Sequence, residues 1–325
     1  MQLPKIIIWT IFKILLLNDL IASEYNVYSE KCMGTDFRII MDHDDPKICS
    51  KAATIAFEEC HRLNRIFSDY IADSEISLFS ESSHEKKFQK LSHELFHVLK
   101  FSKDLAEKTN GAFDPTLGRL SRLWRISRFR ETLPSRKMLD NAMESKGFQF
   151  LHLSSDTKEA KLLKSGMVMD LGGIAKGYAA DRMLEILKGK GLDRCLIDAG
   201  GDLILGAKPR GKKGWEIDIG GNKHPELPVL SLEKCAVATS GDSEQFVEIE
   251  GKRYSHIMNP KTGLGLQNLT QVTVVAANGM SADSIATACS VLGVSKSKAI
   301  FSQENNFEAY FIIQQSDKNI LKIIR

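Results

Sequence analysis

Apolar residues recur at the spacing of an amphipathic helix through the first third of the chain. This repeat predicts one helix from Lys47 to Asp69 and a second from about Phe88 to Thr109. After Gly166 the pattern changes to short apolar runs separated by glycine turns, which is typical of strands. The predicted strands are Met167–Leu171, Cys195–Ala199, Trp215–Ile219, Cys235–Thr239, Gln245–Ile249, Tyr254–Met258 and Leu269–Ala276.

Helices return within the strand-rich part, at about 176–190 and 281–293, and Glu250-Gly251 predicts a hairpin turn. The fold class expected from this order is mixed α/β (α+β), with a helical N-terminal third packed on a strand-rich core with inserted helices. No internal repeat or low-complexity linker divides the chain. We therefore expect a single domain over 24–325, helix-rich at about 45–130 and strand-rich at about 145–325.

The first 23 residues differ from the rest, because Lys5 precedes a mostly apolar run that ends in the small residues Ala22 and Ser23. This order is typical of a signal peptide. Lys13 interrupts the run, and a retained N-terminal anchor is the alternative. Either interpretation predicts an exported protein, periplasmic or attached to the outer face of the cytoplasmic membrane.

Charge and cysteine content restrict the function classes. The net charge is +3 and no basic patch stands out, which argues against nucleic-acid binding. The six cysteines form no C-x-x-C pair and show no zinc-finger spacing, which argues against a metal cluster. Export and an even number permit disulfides, but the sequence leaves their connectivity open.

The run Met167–Leu171 ends in a glycine loop, Gly172-Gly173, that opens a helix carrying Lys176. Glycines let a backbone approach a ligand closely, and a helix N-terminus offers unpaired N–H groups and partial positive charge. The segment therefore predicts a phosphate site, although it fits neither the P-loop nor the G-x-G-x-x-G pattern. An ordinary turn between a strand and a helix is the alternative.

A second candidate lies near the C-terminus, where Ser281 is the predicted N-cap of a helix that begins with Asp283 in its first turn. Thr287 follows four residues later and shares its face. Two hard oxygen donors on one face suit Mg²⁺, which usually takes one or two protein carboxylates and completes its shell with water and phosphates. The alternative is an aspartate that only balances the helix dipole.

A third pattern is H-E-x-x-H, formed by His93, Glu94 and His97, which is the zinc-binding spacing of many peptidases. The long-form continuation with Gly and a third His is absent, and no downstream Glu is convincingly placed as a third ligand. The surrounding apolar residues are those of a plain amphipathic helix. We interpret the match as accidental and keep a zinc peptidase as a remote alternative.

Eight segments in order carry a more specific resemblance than any single motif. They are Met33-Gly34-Thr35, Ser68-Asp69-Tyr70 with Asp73-Ser74-Glu75-Ile76, Gly111-Ala112-Phe113-Asp114-Pro115-Thr116, the glycine loop, Asp198-Ala199-Gly200-Gly201-Asp202, Thr239-Ser240-Gly241, the segment Tyr254–Gly263, and the helix of Asp283 and Thr287. From about Lys31 to Gly293 the chain resembles the ApbE family, the FAD:protein FMN transferases.

The resemblance implies an Mg²⁺-dependent enzyme that splits FAD at its pyrophosphate, releases AMP and attaches FMN to a threonine of a partner flavoprotein. It also implies an exported acceptor with a segment of the type Ser/Thr-Gly-Ala-Thr, in a subunit of a membrane redox complex. A FAD pyrophosphatase, or a FAD-binding protein without a protein acceptor, is the alternative on the same fold.

The resemblance also implies roles for individual residues. Asp283 and Thr287 would bind Mg²⁺ with their side chains and Gly173 with its carbonyl, and His256 and Asp283 would be catalytic. Asp170 and Lys176 would contact FAD, with His256 and Ile257 beside the nucleotide. The residues implied to line the flavin pocket are Met33, Tyr70, Ala112, Phe113 and Asp114. The chain departs from the family pattern at Asn259, where an aspartate is usual, and at Leu264-Gly265, which replaces Tyr-Pro.

Overall fold

The computed structural model describes residues 25–220, 227–241, 246–303, 307–315 and 318–325. Seven α-helices occur in these residues: α1 (Pro46–Phe67), α2 (Glu75–Glu81), α3 (His93–Lys108), α4 (Gly118–Arg130), α5 (Arg136–Glu144), α6 (Ala175–Gly189) and α7 (Gly279–Phe301). The strands are β1 (Asn26–Cys32), β2 (Thr35–Met41), β3 (Gln89–Lys90), β4 (Leu151–Ser154), β5 (Glu159–Leu162), β6 (Cys195–Ala199), β7 (Leu203–Leu205), β8 (Trp215–Asp218), β9 (Val229–Leu232), β10 (Ala236–Gly241), β11 (Phe246–Ile249), β12 (Lys252–Ser255), β13 (Thr270–Ala276), β14 (Glu308–Gln315) and β15 (Lys318–Ile324).

The main sheet has eight strands in the order β1-β2-β6-β7-β10-β13-β14-β15, and every neighbouring pair is antiparallel. Successive side chains of a strand point to opposite faces, so each strand contributes side chains to two cores, one on each face of the sheet. Ile39 belongs to the large core beneath the helices, whereas Ile40 packs with Trp215 and Tyr310 on the other face. The mixed helix-and-sheet fold predicted from the sequence is confirmed.

The helices α1, α6 and α7 pack side by side on this sheet: α6 contacts both α1 and α7, and α7 also contacts β10 and β13. A second body of helices, α4 and α5, packs beside the hairpin of β11 and β12, where Trp124 contacts Val247 and Tyr254. The predicted turn at Glu250-Gly251 joins the two strands of this hairpin. The candidate site lies where these two helical bodies meet the sheet.

Several predicted boundaries are wrong. Met167–Leu171 is not a strand: it is an extended, buried segment whose only ladder contact among the described residues is an isolated bridge from Val168 to Leu117. Its apolar residues reflect burial in the core, because Met167 and Met169 are fully buried there. The strand predicted to reach Met258 ends at Ser255 as β12.

The helix ends also differ from the predictions. The second helix begins at His93 rather than Phe88, because Ser92 caps it by accepting the N–H of Leu95. The last helix begins at Gly279, and its N-cap is Asn278, whose side chain accepts the N–H of Ser281. Asp283 therefore lies in the second turn. The helix continues past a kink at Gly293 to Phe301.

The predicted leader, residues 1–23, lies outside the described residues, so the signal peptide or anchor stays a prediction. None of the helices in the described ranges is long and apolar enough to cross a membrane.

Candidate active site

A cavity of about 770 Å³ opens between α4, the glycine loop, the N-terminal halves of α6 and α7, and the segment after β12. It collects residues that lie far apart in the sequence. Its lining includes eleven of the predicted site residues, which are Tyr70, Ala112, Phe113, Asp114, Asp170, Gly173, Lys176, His256, Ile257, Asp283 and Thr287. The structure thus brings all but one of them to a single cavity, while their roles stay predictions.

Met33 is the exception, since it does not line the cavity. It occupies the tight turn between β1 and β2 with a positive φ of 49° and packs against the main core. The turn still approaches the cavity, because a Cβ on Gly200, which lines it, would lie 2.4 Å from Thr35 Oγ1. The predicted place of Met33 in the flavin pocket is therefore not supported by its position.

Two glycines bring α6 and α7 together at the cavity. A Cβ on Gly177 would lie 2.1 Å from the Gly279 carbonyl oxygen, and a Cβ on Gly279 would lie 2.6 Å from that of Gly177. Only glycine fits at such a backbone contact. Asp181 secures the contact by accepting the N–H groups of Gly279 (2.7 Å) and Met280 (2.8 Å) at the start of α7. Burial raises the pKa of Asp181 to about 6.

The glycine loop also lies close to α7. A Cβ on Gly173 would lie 2.9 Å from Thr287 Oγ1, so this position also excludes a side chain. Gly172 donates its N–H to Asp170 Oδ1 at 2.8 Å, which folds the loop into a turn before α6 begins. The loop backbone, Thr287 and Asp283 therefore line the same part of the cavity.

Lys176 is the cation of this part of the cavity. Its Nζ lies 2.9 Å from Asp202 Oδ2 and 3.4 Å from Asp283 Oδ2, and Gly177 donates its N–H to the same Asp283 oxygen at 3.3 Å. Burial alone would lower the pKa of Lys176, but the carboxylates of Asp283 and Asp202 raise it above its usual value. Lys176 therefore stays charged.

Asp202 lies in the same environment, and burial is the main influence on its pKa. Burial raises its pKa to about 6, the charge of Lys176 opposes that shift, and Asp283 adds to it. Two carboxylates thus share one ammonium group. We call Lys176, Asp202, Asp283, Thr287 and the glycine loop the charged floor of the cavity.

Another wall of the cavity carries an aromatic and cationic cluster. The guanidinium of Arg125 lies 4.0 Å from the ring centre of Tyr70, pairs with Asp69 at 2.7 Å and lies 3.7 Å from Asp170. Tyr70 is 76% exposed, so its ring is presented to solvent at the cavity mouth. Burial raises the pKa of Asp69, with Arg125 opposing the shift. We call Tyr70, Arg125 and Asp69 the aromatic rim.

The turn Ala112–Asp114 forms a third side of the cavity. Asp114 is buried and accepts both the N–H (2.9 Å) and the hydroxyl (2.6 Å) of Thr116, and burial raises its pKa. Phe113 is only 4% exposed, so most of its ring packs in the core and little of it faces the cavity. The structure therefore gives this turn a local structural role besides the predicted one.

His256 and Ile257 follow the end of β12, in a bend that faces the cavity. The departures from the family pattern form the next turn. Asn259 Oδ1 accepts the N–H of Lys261 at 2.9 Å, a contact that an aspartate would also make. Gly265 packs on Trp124, since a Cβ there would lie 2.6 Å from the indole ring. The departures thus keep the local turn intact.

Two ionic residues of the site, Asp202 and Arg125, were not singled out from the sequence. Asp202 closes the segment Asp198–Asp202 and supplies the shorter ion pair to Lys176. Arg125 was missed completely, because it lies in an arginine-rich helix that reads as a solvated face. The segment Ser68-Asp69-Tyr70 held its partner, but the pairing spans 56 residues and leaves no local pattern.

The H-E-x-x-H pattern builds no comparable site. The rings of His93 and His97 lie 6.3 Å apart and both residues are exposed, while Glu94 is paired with Arg62. Burial of the imidazole lowers the pKa of His97, and His93 adds to the shift. Within the described part of the chain, no group of three or more His, Cys, Asp or Glu side chains is placed to hold a metal ion. A zinc peptidase is therefore not favoured.

Comparison with known proteins points to one family. The model of the ApbE family matches residues 33–311 of the chain. A FAD:protein FMN transferase of Treponema pallidum is 35% identical over 236 residues, which cover 67% of this chain and 65% of that protein. The FAD:protein FMN transferase of Escherichia coli K12 is 28% identical over 308 residues, covering 91% of this chain and 86% of that protein.

Solved structures agree with the sequence matches. The flavin transferase ApbE from Vibrio cholerae superimposes with a TM-score of 0.82 at 26% identity, covering 92% of this chain and 97% of that chain. The ApbE protein from Thermotoga maritima gives a TM-score of 0.79 at 27% identity, with coverage of 92% and 96%. The fold predicted from the resemblance is therefore confirmed over nearly the whole chain.

Proposed function

The chain belongs to the ApbE family, and from that premise we propose that it is a FAD:protein FMN transferase that acts at the cavity described above. The observation that carries the proposal is the charged floor, where the N-terminus of α6, the second turn of α7, one lysine and two carboxylates converge. Phosphoryl transfer depends mainly on positioning and on neutralising charge. These groups are the kind that such a reaction requires.

The donor set of the floor suits Mg²⁺. Asp283 offers a carboxylate, Thr287 a hydroxyl and Gly173 a backbone carbonyl, all hard oxygen ligands at one side of the cavity. A side chain at position 173 would block access to Thr287 Oγ1, and glycine leaves that space open. When bound there, Mg²⁺ would neutralise charge on the FAD phosphates. We propose these three residues as its protein ligands.

The remaining residues would position and orient FAD. Lys176 stays charged and would hold the pyrophosphate against the floor, once the phosphates compete with Asp202 and Asp283 for its ammonium group. Asp170 would contact the nucleotide at the loop. Tyr70 and the turn of Ala112–Asp114 would line the pocket for the flat flavin ring, since an aromatic face suits stacking.

The transfer itself breaks one bond and forms another. The hydroxyl oxygen of an acceptor threonine would bond to the phosphorus of the FMN half, while the bond from that phosphorus to the bridging oxygen breaks and AMP leaves. The hydroxyl proton must pass to a base, and His256 at the cavity wall is our candidate for that role. Ile257 would pack beside the nucleotide.

The acceptor and the location follow from the same proposal. We infer that the enzyme acts outside the cytoplasm, on an exported protein with a Ser/Thr-Gly-Ala-Thr type segment in a membrane redox complex. The apolar leader of residues 1–23 supports export. The open, exposed rim at Tyr70 supports a protein substrate, because an acceptor segment needs access to the cavity.

The proposal is tested by incubating the purified protein with FAD, Mg²⁺ and an acceptor domain that carries such a segment. We expect equimolar AMP release and flavin fluorescence that stays with the acceptor through denaturing electrophoresis. An acceptor with valine in place of the threonine is the matched control and should stay dark.

Two results separate the alternatives. AMP release with FMN free in solution and a dark acceptor would indicate the FAD pyrophosphatase instead. Absence of AMP release, with FAD still bound in a titration, would indicate a FAD-binding protein and contradict the transferase.

A further inference from the structure

Two cysteines outside the cavity lie in contact between β1 and α1. Cys32 ends β1 and Cys60 lies in the second half of α1, and their sulfur atoms are 2.7 Å apart. Both are buried, at 3% and 0% exposure. In the described part of the chain, which contains all six cysteines as free thiols, no other pair makes a sulfur–sulfur contact.

A polar chain leads from the surface to this pair. Glu30 Oε2 lies 2.8 Å from His61 Nε2, and the other ring nitrogen, Nδ1, lies 3.8 Å from Cys32 Sγ. The carboxylate thus favours the tautomer in which Nε2 carries the proton, which leaves Nδ1 free to accept the thiol proton. His61 and Glu30 are both about half exposed, at 50% and 49% of their side chains.

The two thiols differ in acidity. The hydrogen bond with Cys60 lowers the pKa of Cys32, burial opposes that shift, and His61 supports it. The pKa of Cys60 is raised by the same hydrogen bond and by burial. Buried thiols elsewhere behave differently, since burial raises the pKa of Cys195 and of Cys289 to about 12. Cys32 is therefore the thiol suited to attack and Cys60 the thiol suited to resolve.

We propose that Cys32 and Cys60 form an intramolecular disulfide that staples β1 to α1. The oxidant is a disulfide, either of a protein oxidoreductase or of glutathione. The Cys32 thiol gives its proton to His61 and attacks one sulfur of the oxidant, whose other sulfur takes that proton from His61 and leaves as a thiol. Cys60 then attacks the Cys32 sulfur of the mixed disulfide, and its proton passes to the second sulfur of the oxidant, which leaves as the second thiol. Two electrons pass from the cysteines to the oxidant.

The staple would hold the cavity wall near Gly200. The turn Met33-Gly34 follows Cys32 directly, and Thr35 after it packs against Gly200 at the cavity wall. A bond at Cys32 fixes this turn on α1, which itself packs against α6. The inference rests on the sulfur pair and not on the transferase activity, so the two can fail separately.

The test is a refolding experiment with the full chain. The reduced protein is unfolded in urea, refolded by dilution into a buffer of oxidised and reduced glutathione, denatured, alkylated and digested for mass spectrometry. We expect one cross-linked peptide pair that joins Cys32 to Cys60, with the other four cysteines alkylated. Alkylation of both Cys32 and Cys60, or a different pairing, would overturn the proposal.

Thermal melts supply an independent readout. Protein refolded with oxidised glutathione should melt roughly 5 °C or more above protein refolded with a reductant, because the cross-link restricts the unfolded chain. Cys32→Ala/Cys60→Ala should melt at one temperature in both buffers. Cys49→Ala, a buried cysteine on the same helix, is the matched control and should keep the difference. Equal melting of the wild type in the two buffers would contradict the staple.

Discussion

At the charged floor of the cavity the ionic side chains are largely withdrawn from solvent, whereas the aromatic rim leaves Tyr70 76% exposed. Lys176 is 26% exposed, and its partners Asp202 and Asp283 are 8% exposed. Glycine contacts between α6 and α7 fix the floor, while a cation–π contact and ion pairs hold the rim. Arg125 and Asp69 of the rim are as withdrawn from solvent as the floor, at 28% and 8% exposure, so the contrast lies in Tyr70. A change at the floor should alter chemistry and stability together, whereas a change at Tyr70 should alter binding alone.

The largest effect should come from Asp283, which is both a proposed Mg²⁺ ligand and a partner of Lys176. We expect Asp283→Ala to lower the rate of FMN transfer by about 10²-fold or more, because the Mg²⁺ that would neutralise charge on the FAD phosphates loses its carboxylate ligand. The fold should persist, since Lys176 keeps Asp202 as a partner. AMP release over a Mg²⁺ series, with circular dichroism alongside, measures both.

Asp140→Ala is the control for Asp283→Ala, since Asp140 is an exposed helical aspartate on α5. It should keep full activity. If Asp283→Ala turned over at the wild-type rate at saturating Mg²⁺, the metal assignment at the floor would be wrong.

Lys176 should show the coupling of chemistry and stability most directly. Lys176→Met removes the cation between Asp202 and Asp283, so nucleotide binding or transition-state stabilisation should weaken by about 1.5–3 kcal/mol. The buried pair of carboxylates that the structure reveals adds a loss of folding stability.

Calorimetric FAD titration and thermal melts separate the two costs of Lys176→Met. Lys188→Met, an exposed lysine in the last turn of the same helix, should change neither. A variant at position 176 that melts like the wild type would show that the two carboxylates do not depend on Lys176.

Asp181, which joins α6 to the start of α7, gives the packing of these two helices a pH dependence. Its pKa is raised by burial to about 6, above a value of about 3.9 in the unfolded chain, so the folded state binds the extra proton. Its contribution to stability is therefore complete below about pH 4 and is lost as pH rises through about 6. Against the non-titrating Asp181→Asn, the wild type should lose on the order of 2 kcal/mol of unfolding free energy between pH 4 and pH 7.

Urea unfolding of both proteins at four pH values in that window measures the difference. The variant also loses one acceptor for the N–H groups of Gly279 and Met280, which shifts its stability at every pH alike. Parallel curves for the two proteins would mean that folding does not raise the pKa of the Asp181 carboxyl group.

At the rim the expected effect is smaller. Tyr70→Ala removes an exposed ring that would stack on the flavin, a contact worth about 0.5–1.5 kcal/mol. The Kd for FAD should therefore rise about two- to tenfold, with the rate at saturating FAD unchanged. Loss of the cation–π contact with Arg125 costs only about 0.5–1 kcal/mol of folding stability at an exposed site, so the melting temperature should fall only slightly. Tyr70→Phe keeps the ring and should bind FAD like the wild type. A lowered maximal rate in Tyr70→Ala would show that the rim takes part in the chemical step, which would contradict the proposed difference between rim and floor.

The floor and the rim also differ in how far the sequence predicts them. The pair Asp283 and Thr287 was found because helical spacing puts residues four apart on one face. Asp202 and Arg125 were not singled out, because their partners lie 26 and 56 residues away, and through-space ion pairs leave no periodic signal. Local competition explains the boundary errors: Asn278 caps α7 in place of Ser281, and the burial of Met167–Leu171 imitates a strand.

The smallest effect should come from the histidine pair of α3, which lies outside both parts of the cavity. His93 and His97 are exposed, Glu94 is held by Arg62, and neither ring lines the cavity. Replacing both histidines with glutamine keeps good helix formers on an exposed face, so stability should change by no more than about 0.5 kcal/mol. FMN transfer should be unchanged, and metal analysis of the wild-type protein should find no stoichiometric zinc. The opposite result would be zinc bound one to one in the wild type, with both zinc and FMN transfer lost in the double variant. That result would show that the H-E-x-x-H pattern is a functional zinc site and would contradict the assignment of the chemistry to the floor.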